Sequence, residues 1–112
     1  MPAPTPPEIA GVLRTAADVI DRNGLAKNGN FYDETSGKPP RECPVCVYGA
    51  IDVADDRDPG VGPRSFAASL AAREFSKALG QNVIRWNDDP ATTPEQVVTE
   101  LRRCATWLER TT

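Results

Sequence analysis

Thr5-Pro-Pro-Glu-Ile-Ala-Gly-Val-Leu-Arg-Thr-Ala-Ala-Asp-Val-Ile-Asp-Arg-Asn-Gly24 carries a start, a stripe and a stop for one helix. Thr5 stands at the N-cap, Pro6 at the first helical position and Glu8 at the third, the pattern of a capping box. Ile9, Leu13, Ala16 and Ile20 follow at helical spacing with Val12 and Val19 on the flank, while Arg14, Asp18, Asp21 and Arg22 fall opposite. Asn23-Gly24 ends the run. An amphipathic helix of this kind needs other helices to cover its stripe, and the rest of the chain supplies them.

Outward from this helix, Met1 to Pro4 reads as a flexible proline-rich arm and residues 5–112 as a single helical domain. From Leu25 to Glu42 periodicity is lost: Asn28-Gly29 and Ser36-Gly37 signal turns and Pro39-Pro40 forbids a helix, leaving room for a short irregular β-hairpin. Cys43 to about Asp55 reads as a second helix, apolar nearly all round, with only Tyr48, Asp52 and Asp55 on a polar side. Gly49 inside it implies the close approach of another helix backbone. A third helix is expected from about Pro63 to Leu79, with Phe66, Leu70 and Phe75 on its apolar face and Ser65, Ser69, Arg73 and Ser76 towards solvent. Asn82 to Trp86 reads as extended and Asn87 to Thr92 as a loop. Thr93-Pro-Glu-Gln96 repeats the opening cap before a last helix striped by Val97, Leu101, Cys104, Ala105 and Leu108. The fold class that follows is mostly α, a bundle of about four helices with one long irregular segment between the first two.

Composition narrows function. The 112 residues hold no histidine, which removes every mechanism with an imidazole base. A net charge of −3 with mixed signs argues against nucleic acid as a partner. No apolar run approaches the roughly 20 residues that span a bilayer, so no membrane partner is expected. The opening residues lack the basic and apolar regions of a signal peptide, which points to a cytoplasmic protein with reduced thiols.

Candidate chemistry is sparse. Cys43-Pro-Val-Cys46 has the spacing of a zinc or dithiol motif, but Cys104 is the only further soft ligand and no strand-turn-helix setting surrounds it. The stretch Asp55-Asp-Arg-Asp-Pro-Gly60 lacks the later carboxylates of a calcium loop, and Ser36-Gly-Lys38 lacks the upstream glycine of a phosphate loop. Trp86, Asn87 and Asp88 form a turn that either shapes the backbone or binds. Trp107 falls off the last helix's apolar stripe, and Tyr48 shares a polar side with acids; aromatics so placed are anchors at protein interfaces. The candidate binding residues are therefore Trp107, Tyr48, Trp86, Asn87 and Asp88, with no cofactor and no catalytic residue assigned.

Two of these motifs carry a resemblance. Cys46-Val-Tyr-Gly49-Ala50 is a C-x-x-G-A helix element, and Trp86-Asn87-Asp88 leads into the cap at Thr93-Pro-Glu95-Gln-Val97. With the opening helix they resemble a small family of unknown function from actinobacteria and their phages, along a stretch from about Ile9 to Ala105. The resemblance implies a genomic setting and no catalytic residue, and Cys43 lies outside its pattern. The expectation is a non-catalytic protein that acts by binding another protein or itself, a phage-encoded modulator of a host factor being one form of it. The alternative is a thiol- or metal-dependent enzyme using Cys43 and Cys46.

Overall fold

Thr5 and Thr93 open the two longest helices as the sequence prescribes. The structure is a computed structural model that describes residues 3–110, so Met1 and Pro2 of the expected arm lie outside the described residues. At α1 (Pro6–Asn23) the Glu8 amide donates to Thr5 Oγ1 at 3.3 Å. At α5 (Pro94–Arg110) the box closes both ways: Gln96 N–H donates to Thr93 Oγ1 at 3.2 Å, and Thr93 N–H donates to Gln96 Oε1 at 2.9 Å. These helices pack on each other more extensively than any other pair, and α2 (Val47–Ala54) and α3 (Phe66–Leu79) cover the rest of α1. Leu13, Ile20, Val47, Ile51, Phe75, Val97 and Leu101 meet in one core.

Several boundaries differ from the expectation, each for a tertiary reason. The second helix begins at Val47 and not at Cys43, because the segment before it is paired as a strand would be. Val45 forms an isolated parallel bridge with Leu25 and an antiparallel one with Tyr32. Its N–H donates to Gly24 O at 3.2 Å, and its carbonyl accepts from Ala26 N–H at 2.8 Å. On the other side Cys46 N–H donates to Phe31 O at 3.1 Å. Both bridges pair with Val45, beyond the 25–42 stretch where a hairpin was allowed, and remain isolated. The helix then starts on the Cys46 side chain, whose Sγ accepts from Gly49 N–H at 3.3 Å in the place usually held by a hydroxyl or carboxylate.

The third helix starts at Phe66, three residues later than expected, because Ser65 is its cap and Pro63 lies in the loop before it. Phe66 sits at the first position of the helix and is 62% exposed, where the apolar face had been expected to hold it. Asn82 to Trp86 is not extended: Val83–Asp88 forms a fifth helix, α4, capped by Asn82 Oδ1 accepting from Arg85 N–H at 2.9 Å. Asn87 and Asp88 are thus its last residues and not a loop. The fold remains mostly helical, with five α-helices among the described residues in place of four. None of these helices is long and apolar enough to cross a membrane.

Candidate functional site

The charged loop after α2 is fastened from inside. Asp52, expected on a polar face, is only 3% exposed. Its carboxylate accepts from Arg64 Nε at 2.6 Å and from Gly60 N–H at 2.8 Å, which removes the cost of burying it. Arg64 in turn lies 5.3 Å from the centre of the Tyr48 ring, a cation–π contact that fixes that ring. Asp55 accepts from both the N–H and the hydroxyl of Ser65 and pairs with Arg57 Nε, so the loop is tied at its far end too. Ordinary protein donors occupy these carboxylates.

The two cysteines of the Cys43–Cys46 motif take different tasks. Cys43 is buried, with Sγ 2.9 Å from Ser36 Oγ and 3.3 Å from Lys38 O. Cys46 caps α2. Neither is in a disulfide. Burial pushes the Cys46 thiol above its ordinary range, with the nearby carboxylates of Asp52 and Asp88 adding to the effect. Among the described residues no group of three or more Cys, Asp or Glu is placed to hold a metal ion.

Three of the five candidate binding residues come together. Between α2, α4 and the turn at 29–31 lies a pocket of about 70 Å³, with Phe31, Tyr48, Ile84 and Asp88 among its walls and Cys46, Val47 and Asn87 also lining it. Asn87 is 2% exposed. Its Oδ1 accepts from Val47 N–H at 3.0 Å, the first residue of α2, and its Nδ2 donates to Ala26 O at 2.9 Å. One amide side chain therefore ties α4 to α2 and to the segment after α1. Asp88 accepts from Asn28 N–H at 2.9 Å and from Asn87 Nδ2 at 3.1 Å, both at Oδ1. Trp86 points elsewhere: its ring packs on Phe75 at 6.1 Å and holds α4 against α3.

A model described as a family of unknown function (DUF6197) matches residues 4–106. The chain belongs to that family. No curated protein and no solved structure matches it.

Trp107, the fifth candidate, lies in a groove between α3 and α5 that shares no lining residue with the pocket. The groove measures about 420 Å³ and is bordered by Phe75, Ala78, Leu79 and Cys104 with Glu74, Lys77, Glu100 and Arg103 around them. Trp107 is 56% exposed there. Arg103 pairs with Glu100 at 2.8 Å, and Lys77 with Glu74 at 3.5 Å. The Cys104 thiol in the groove is pushed up to about 11, first by burial and then by Glu74 and Glu100.

Sequence reasoning missed Phe31, Ile84 and Leu79 as surface-forming residues. Ile84 and Asp88 share a face at i, i+4 spacing, a signal that exists only once residues 83–88 are read as a helix. Leu79 could be read only as part of the apolar face of the third helix, since its groove depends on how α3 meets α5.

Proposed function

We propose that this chain is a non-catalytic binding domain of the cytoplasm that pairs with a second copy of itself through the groove between α3 and α5. One observation carries the reading: Trp107, a large apolar side chain, keeps more than half its surface exposed beside an open apolar groove. Covering the rest of an indole gains roughly 3 kcal/mol from buried area, which is the scale of an interface anchor.

Charge favours a copy of the same chain as the occupant. The protein carries −3 overall, so two copies repel weakly across most of their surface. The groove is balanced: each wall holds one acid and one base, Glu74 with Lys77 and Glu100 with Arg103. Under a two-fold axis every acid on one copy can be set against a base on the other. A host protein, in the phage setting that the resemblance implies, is the competing occupant.

Sedimentation equilibrium decides between them. The expected result is a concentration-dependent dimer that Trp107→Ala converts to monomer while the melting temperature of the monomer stays nearly unchanged. A chain that is monomeric up to millimolar concentration, with Trp107→Ala indistinguishable from it, overturns the reading. A mutant that melts much earlier shows that Trp107 belongs to the core, and overturns it equally.

A further inference from the structure

Independently of the groove, the pocket beside α4 has the chemistry of a small-ligand site. We propose that it binds an aliphatic primary ammonium, with a branched group of three or four carbons in the pocket and the –NH3+ on Asp88 Oδ2.

Size sets the apolar part. A dry cavity of about 150 Å³ accommodates benzene, so the 70 Å³ here has room for roughly half as many carbons. Phe31 and Ile84, 42% and 51% exposed, form the apolar rim that such a group would cross and cover.

Charge sets the polar part. Both protein donors to Asp88 arrive at Oδ1, leaving Oδ2 without a donor among the described residues. Asp88 also lies near enough to Cys46, across the pocket, to raise its thiol. An anionic oxygen beside an apolar pocket is the pairing that recognises a cation attached to a short hydrocarbon. The two other carboxylates nearby do not compete: neither Asp52 nor Asp89 lines the pocket, and Asp52 is paired with Arg64. Asn87, although it lines the pocket, has its side chain satisfied by Val47, Ala26 and Asp88, so it contributes shape and no free donor.

The chemistry has two sources, a free branched amine or the N-terminal residue of a peptide, and the test separates them. Isobutylammonium, isobutanol, Val-Gly-Gly and N-acetyl-Val-Gly-Gly are titrated separately at low salt into the isotopically labelled protein, following the Val47 amide and the Asn87 side-chain signals by NMR. Isobutylammonium should shift both signals saturably, with a dissociation constant in the millimolar range expected of so few atoms. Isobutanol should bind at least tenfold more weakly. Val-Gly-Gly binding more tightly than the amine, with loss on N-acetylation, identifies a peptide end as the source; the reverse order identifies a free amine. Asp88→Asn keeps the Oδ1 acceptor and should erase the preference for ammonium over alcohol. Absence of saturable shifts with isobutylammonium, or equal binding of alcohol and ammonium by the wild-type protein, overturns the proposal whether or not the variant folds.

Discussion

Gly49→Ala adds one carbon where the structure has none to spare. A Cβ built there lies 3.1 Å from the Phe31 carbonyl carbon and 3.2 Å from Val45 Cβ, and closer still to the Phe31 oxygen. That oxygen is not the end of a flexible side chain. It accepts the Cys46 N–H bond at 3.1 Å that sets the entry to α2. The neighbour is thus the 29–32 segment, where a second helix had been expected. Relief requires breaking that bond or moving α2. Overpacking of this kind costs about 3 kcal/mol, and the lost hydrogen bond about 1 kcal/mol more. Alanine returns about 1 kcal/mol through its better helix propensity. The net loss is about 3 kcal/mol, or roughly 12 °C in melting temperature for a domain of this size. Gly11→Ala is the internal control: it lies in α1 with nothing within 4 Å of an added Cβ, so it gains the propensity term alone and should melt about 4 °C higher. Thermal unfolding of both variants by circular dichroism measures the difference. If Gly49→Ala is as stable as wild type, α2 does not rest on the Phe31 carbonyl, and the pocket built on that contact is misplaced.

Cys104 gives a pH signature. Its folded pKa is raised from 9.0 to about 11, so its contribution is complete below pH 9 and is lost as pH climbs towards 11, by roughly 2–3 kcal/mol; urea unfolding should show the advantage of wild type over Cys104→Ala shrinking across that window, and a constant difference would contradict the burial of the thiol. Asn87→Ala orphans the buried Val47 N–H and Ala26 carbonyl, a loss of about 3 kcal/mol that urea unfolding should register, whereas a change within 0.5 kcal/mol, typical of neutral surface sites, would show that the amide ties nothing together.

What the sequence disclosed follows the range of the interactions involved. The caps at Thr5 and Thr93, the stops at Gly24 and Gly80 and the stripes of α1 and α5 depend on residues three or four apart, so they could be read directly. The start of α2 could not, because it is set by Val45 pairing with residues 20 and 13 positions back along the chain. Six-residue α4 is too short to show a period of 3.6, and its run Ile84-Arg85-Trp86-Asn87, alternately apolar and polar, imitates a strand. Asp52 was assigned to solvent because a lone carboxylate usually belongs there; its partner Arg64 is 12 residues away in a loop of no apparent pattern. Trp107 was visible as an apolar residue off its stripe, but the groove beside it required α3 and α5 together.

The position of α4 gives these pieces a common logic. One of its faces sends Trp86 onto Phe75, and Phe75 also borders the Trp107 groove. Its other face presents Ile84 and Asp88 to the pocket. A helix of six residues has little stability of its own, so its position is set by what it is tied to. Asn82 caps it, Trp86 packs it and Asn87 binds it to α2 and to Ala26. All four motif residues Trp86, Asn87, Asp88 and Thr93 thus have structural duties, and Asp88, held at Oδ1, keeps Oδ2 without a protein donor among the described residues. That division explains how a short polar motif can be indispensable to the fold and still leave one atom free for a ligand. The cysteines divide the same way, Cys43 hydrogen-bonded in the interior, Cys46 capping α2 and Cys104 packed under the groove.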